Sequence, residues 1–250
     1  MAVLALVLSL ATTLAFGSSA VRADTFPPAG IPATVSADVL PTWQVDGVVW
    51  ATVTVGTTVY ATGSFTVARP PGVAAGGAGE VPAGNLFAFD ITTGNRIASF
   101  NHTLNAQGLT LARSPDGSRV YVGGDFTTVD GVARNRLAAF NTATGALVTG
   151  FYPRPYSRVG AIAATNSTVY YGGTFNSVGG VARARLAAAN AADGSLTAWA
   201  PTADDQAVKA MVLSVDAGEL WARLQELLAT KSTSLREELK SLAAEKGVQI

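Results

Sequence analysis

The chain has 250 residues, of which 48% are hydrophobic and 14% charged, and its 17 Lys+Arg are balanced by 17 Asp+Glu. A formal charge of zero offers no electrostatic basis for binding nucleic acid or an anionic membrane surface. The absence of cysteine excludes disulfides, thiolate metal sites and thiol catalysis. The length suits one large domain or two small ones, and the apolar content is too high for a disordered chain despite 26 glycines.

Ala2 to Phe16 form an uncharged apolar run, followed by small residues and by Val21-Arg22-Ala23 just before Asp24. This reads as a secretory signal peptide over residues 1–23, although no Lys or Arg precedes the run. The run is shorter than the roughly 20 residues that span a bilayer, so cleavage and no stable membrane anchor afterwards are expected. Residues 24–42 carry Pro27, Pro28, Pro32 and Pro41, which remove backbone donors and disfavour helix before them. An extended linker is expected there.

A repeat dominates residues 43–217. Ser118 to Phe151 aligns with Ser167 to Trp199, matching Tyr121 with Tyr170, Gly123-Gly124 with Gly172-Gly173 and Phe126 with Phe175. Further on, Arg134 and Arg136 match Arg183 and Arg185, and Gly145 matches Gly194. A weaker copy runs from Thr57 to Val67 and from Asn85 to Phe100, interrupted by a Pro/Gly/Ala-rich insertion between Arg69 and Gly84 that reads as a flexible loop.

Each copy reads strand, turn, strand. In the second copy, strands are expected at Leu109–Ala112, Val120–Val122, Leu137–Phe140 and Leu147–Phe151. Pro115-Asp116-Gly117 and Asn141 to Gly145 supply the turns. The Gly pair lacks Cβ atoms, so a neighbouring backbone can approach closely or the strand can bend there. Four short antiparallel strands in roughly 50 residues is the arithmetic of a β-propeller blade. The expected fold is therefore all-β: a partial β-propeller of about three four-stranded blades. Gln206 to Ser214 would start an incomplete fourth.

The segment VYVGGDFTTVDGVARNRLAAFNTATGALVTGF resembles the delta-type β-propeller repeats of secreted bacterial proteins, particularly actinobacterial ones, and more loosely the kelch repeat through its di-glycine. The resemblance covers about Trp43 to Ala217. It implies a surface or extracellular scaffold, often joined to adhesive or carbohydrate-linked modules, and it carries no shared catalytic motif.

The chain then changes character. All four lysines (Lys209, Lys231, Lys240 and Lys246) lie beyond residue 208, and Leu220, Trp221, Leu224, Leu227 and Leu228 recur at helical spacing, as do Leu235, Leu239 and Leu242. A helical tail is expected over 218–250. It reads either as unrelated sequence joined to a truncated propeller or as a cap or partner helix for an exposed sheet edge. Fewer blades than the roughly four to eight that close a propeller would leave two open edges.

The chemistry on offer is sparse. His102 is the single histidine, so no two-histidine metal site can form; it reads as a solvated loop residue. Asp125 with Asp130, and Asp204 with Asp205, lack the alternating ligand spacing of a calcium loop and read as turn and capping residues. Arg134, Arg136, Arg183 and Arg185 repeat in register. They are the candidate ligand-binding residues, able to face an anion or a glycan carboxylate, or else they pair with loop carbonyls. No catalytic residue, metal ligand or cofactor is assigned.

The expected function is a secreted, non-enzymatic scaffold for a ligand or cell surface, with an extracellular protein or polysaccharide as partner. The alternatives are a structural subunit that self-associates through open sheet edges or the tail, and a propeller-type enzyme such as a lyase or glycoside hydrolase. Removing residues 218–250 is expected to leave the strand content intact. Circular dichroism of the shortened chain checks this, and wholesale loss of the β signal would contradict it.

Overall fold

Alternating side chains on short, glycine-punctuated strands build three similar units. The computed structural model describes residues 42–204 and 206–214. The segments expected to form a signal peptide (1–23), a linker (up to residue 41) and a helical tail (218–250) lie outside the described residues. The first unit holds β1 (Gln44–Val45), β2 (Val48–Val55), β3 (Thr58–Ser64), β4 (Val67–Arg69), β5 (Val81–Pro82) and β6 (Leu86–Asp90). The second holds β7 (Gly108–Arg113), β8 (Arg119–Gly124), β9 (Thr128–Val129), β10 (Val132–Ala133) and β11 (Leu137–Asn141). The third holds β12 (Val159–Ala164), β13 (Thr168–Gly173), β14 (Ser177–Val178), β15 (Val181–Ala182) and β16 (Leu186–Asn190). All pairing is antiparallel, and the described residues contain no helix.

The main sheets run β2-β3-β6, β7-β8-β11 and β12-β13-β16. They are three-stranded, which corrects the expectation of four strands per unit. The segment expected as a fourth strand, Leu147–Phe151, makes a single bridge from Leu147 to Phe140, and Arg96 and Leu196 do the same in the other units. The physical reason is a turn: the Phe151 N–H donates to the Val148 carbonyl at 3.2 Å, which pulls the chain off the sheet edge and buries the Phe151 ring against Tyr121. The insertion after Arg69 is also not wholly a loop, since Val81 and Pro82 pair with Ala68 and Val67.

Period-two alternation decides how the sheets stack. On β8, Val120 and Val122 face the first unit and pack with Tyr60, Phe100 and Phe140. Tyr121 faces the third unit and packs with Phe151, Val169, Tyr171 and Phe175. Each unit thereby repeats one aromatic pair: Tyr60–Phe100 with centroids 4.9 Å apart, Tyr121–Phe151 at 5.4 Å and Tyr170–Trp199 at 5.1 Å. Tyr121 and Tyr170 thus hold equivalent register positions, opposite Ala139 and Ala188. Tyr121 is fully buried by the next unit, whereas Tyr170 is only half-buried and Trp199 is 39% exposed.

The two glycines of each pair have different duties. Gly63, Gly124 and Gly173 form one row, and a Cβ there would strike the carbonyl oxygen of Val48, Gln107 or Arg158, at or just before the start of the first strand of the same sheet. Beside that contact each first strand bulges, at Trp50, Leu109 and Gly160. The other row, Thr62, Gly123 and Gly172, faces the next unit. A Cβ on Gly123 would lie 2.6 Å from Val159 Cγ1, and one on Gly172 would lie 2.6 Å from Val208 Cγ1. At the first junction the sizes are exchanged, with Thr62 filling the space that Gly108 leaves.

Val208 therefore takes the place of Val159 one unit further on, and its N–H donates to the Gly173 carbonyl at 3.1 Å. The segment expected to begin a fourth unit lies where a first strand belongs but joins no ladder among the described residues.

Two substitutions separate these duties. Gly173→Ala is expected to cost about 3 kcal/mol, because the obstacle is backbone and cannot rotate away. Gly123→Thr is expected to be comparably destabilising alone and substantially rescued by Val159→Gly, which recreates the Thr62–Gly108 arrangement. Urea midpoints of the single and double variants check both expectations.

Candidate functional site

The four arginines lie in the turns just before β11 and β16, the third strands of the main sheets in the second and third units. Arg136 and Arg185 adopt left-handed backbone, with φ of 64° and 65°, at the position held in the first unit by Asn85 with φ 64°. Their backbone carbonyls accept the N–H groups of Gly124 and Gly173, and the Asn85 carbonyl accepts that of Gly63. The strained backbone thus serves the glycine row.

Their side chains are turned onto carbonyls. Arg134 donates to Ala133 and Thr149 at 2.6 and 2.8 Å, and Arg183 donates to Ala182 and Thr197 at 2.8 and 3.0 Å. Arg136 reaches the Asp125 carbonyl and Arg185 that of Ala203, each through Nη1. Arg134 is 5% exposed and its guanidinium stands 5.0 Å over the Tyr152 ring.

The units stop matching at their junctions. Register aligns Trp43, His102 and Pro153, each two residues before the position that bridges or pairs with the next hairpin: Val45 with Ala68, Leu104 with Val129, Pro155 with Val178. His102 is therefore not a solvated loop histidine, and its side chain is only 13% exposed. The ring lies between Phe100 and Phe140, with centroids 5.0 and 4.6 Å away. Its Nδ1 is 2.6 Å from Asp130 Oδ2 and its Nε2 is 2.6 Å from the Gly145 carbonyl. Both neighbours are acceptors, so both nitrogens must donate for the two bonds to coexist. Sequence reasoning missed this seat because Phe140 and both acceptors come from distant parts of the chain. In the next junction Pro153 and Gly179 replace His102 and Asp130, and a cavity of about 310 Å³ opens beside Arg154 and Asp193.

Asp125 and Asp130 are not brought together as a pair. Asp130 also accepts from the Thr103 N–H at 2.7 Å. Asp125 is gripped by Arg158, Nε to Oδ1 at 2.8 Å and Nη2 to Oδ2 at 2.6 Å, and by Gln107 Nε2 at 2.8 Å. The Arg158 hydrogen bonds hold the Asp125 carboxyl below its usual range against the opposing effect of burial. Asp205 lies outside the described residues, so the Asp204–Asp205 pair is not described as a unit.

At the end of the third unit a cavity of about 490 Å³ is lined by Thr174, Phe175, Asn176, Arg183, Arg185 and Thr202, with alanines completing it. It brings two of the four candidate arginines to one opening. Among the described residues no group of three or more His, Asp or Glu is placed to hold a metal ion.

No family model matches the chain. No curated protein matches it either. Among solved structures, the chain is similar to U3-55K, at 12% identity and TM-score 0.45 over 68% of this chain and 45% of that one. It is likewise similar to the RRP9 WD40 repeats, at 12% identity and TM-score 0.45 over 69% and 46%. The computationally designed Ika4 protein matches at 14% identity and TM-score 0.42 over 69% and 85%. The chain thus spans less than half the length of the first two, and likeness at this level assigns no activity.

Because the Asp125 carboxyl is held below 3.8 in the folded chain, its pairing stabilises above the unfolded value and is lost as pH falls through the folded one. Arg158→Gln is expected to cost about 1 kcal/mol at neutral pH, the arginine being partly exposed. The difference from the parent should vanish well below about pH 4. Urea unfolding at neutral and acid pH checks this.

Proposed function

We propose that the chain is a stretch of β-propeller, exported and non-enzymatic, that acts as a scaffold binding a ligand or a cell-surface partner. The propeller reading is supported by consecutive sheets stacking face to face through the same register positions, as successive blades do. One observation carries the binding reading. The repeated polar side chains are turned onto the repeat's own backbone, while the third unit, where repetition lapses, opens an arginine-lined cavity. Pockets of this size suit small ligands or a projecting residue of a larger one. An extracellular protein or polysaccharide is the partner class, and export rests on the apolar leader of residues 1–23.

Assembly into a ring is a second reading. It is favoured by the docked but unpaired segment at Val208 and by the exposed apolar residues Val48 and Val49 on the first strand of the first unit. Such faces invite further strands.

The mature chain is expected to bind at least one member of a panel of immobilised polysaccharides and surface proteins, with no turnover on a broad hydrolase and lyase panel. Absence of any binder, or turnover abolished by replacing one Asp, would overturn the scaffold reading. Light scattering after size exclusion tests assembly, and a strictly monomeric folded chain would exclude it.

A further inference from the structure

We propose that the cavity at the end of the third unit is a carboxylate site, a deepening that rests on the ligand-binding reading above. The second unit shows what the same place holds when it is filled from within. There Asp125 occupies the position of Thr174, both lying directly after the glycine pair. The Asp125 carboxylate is clamped by Arg158 through Nε and Nη2 and lies in the field of Arg136.

One unit further on, two of the three positions have changed in a consistent way and the third is kept. Thr174 stands for Asp125, so the internal carboxylate is gone. Ala207 stands for Arg158, one residue before Val208 as Arg158 is one before Val159, so the side chain that covered the place is gone as well. Arg185 stands for Arg136 and is kept, with the same left-handed backbone.

What remains is a cavity of about 490 Å³ whose lining includes two arginines and, among the described residues, neither Asp nor Glu. Arg183 spends both terminal nitrogens on the carbonyls of Ala182 and Thr197 and contributes its charge. Arg185 spends Nη1 alone, on Ala203, among the described residues. The edge left to it, Nε with Nη2, is the edge Arg158 uses on Asp125. That edge matches the two oxygens of a carboxylate in a bidentate pair. The Thr174 hydroxyl, 3.0 Å from Ser157 Oγ, is a further polar contact where the carboxylate would sit. The ligand class is therefore a small carboxylate, or a carboxylate borne on a larger molecule, that supplies from outside the charge Asp125 supplies from inside.

The test titrates the full chain with D-glucuronate and with N-acetyl-alanyl-alanine, which carry the carboxylate on a sugar and on a peptide. Their methyl ester and amide serve as neutral matches, and ligand-observed NMR is the readout. At least one carboxylate is expected to bind in the millimolar range, about tenfold tighter than its neutral match. The tighter of the two identifies the source. Thr174→Asp, which restores the internal carboxylate, is expected to weaken binding about tenfold while leaving the urea midpoint unchanged or higher. Arg185→Asn should do the same, and the residue is chosen because Asn85 holds that left-handed position in the first unit. Equal binding of charged and neutral forms, or undiminished binding by Thr174→Asp, would overturn the carboxylate assignment while leaving the ligand-binding reading in place. No binding of either carboxylate up to about 50 mM would also overturn it, and the scaffold reading would then be judged on its own panel.

Discussion

Backbone against backbone at three glycines sets the geometry of the described residues. At Gly63, Gly124 and Gly173 the first and second strands of each sheet come so close that a carbonyl oxygen occupies the space of a Cβ. The close approach coincides with the bulge in each first strand and with the left-handed residue that accepts the glycine N–H. A side chain at any of these points would force the strands apart and release all three features together. Because β8 and β13 run up to the glycines in strict alternation, the same anchor also fixes which residues face the preceding unit and which the following one.

Stacking then follows from size. One residue of each junction must be small where another is large, and the molecule solves this twice with a glycine on the second strand and once with a glycine on the following first strand. That the solution inverts at Thr62 and Gly108 shows that volume is what is conserved between the units, not residue identity. The tyrosine pairs vary in the same spirit, with Phe100, Phe151 and Trp199 covering Tyr60, Tyr121 and Tyr170.

Function is sought where the repetition lapses. Side chains shared by the second and third copies are occupied in holding the copy together, as the arginine–carbonyl contacts show. The junctions carry the differences: an imidazole held between two rings at one, a proline and a cavity at the next, and a missing acid with a missing arginine at the last. The last two changes replace an internal partner by open space, and open space bordered by charge is what a ligand can use.

The sequence by itself determined the repeat, its strands and its turns. Tyr121 with Tyr170, the paired glycines and the Asn141 to Gly145 turn are local signals, and local signals follow from alternation and backbone preference over a few residues. The aligned arginines were legible too, and so was the replacement of Asp125 by Thr174. Tertiary structure alone decided that Leu147 to Phe151 leaves the sheet, because the turn that does so is repaid by burying Phe151 against another strand's tyrosine. It alone seated His102, whose partners Phe140, Asp130 and Gly145 lie 28 to 43 residues away in the chain. It alone showed that Arg158 and Asp125, 33 residues apart, meet across a junction whose next counterpart stands open. Contacts between units depend on how sheets stack, and no short window of sequence contains both sides of the stack.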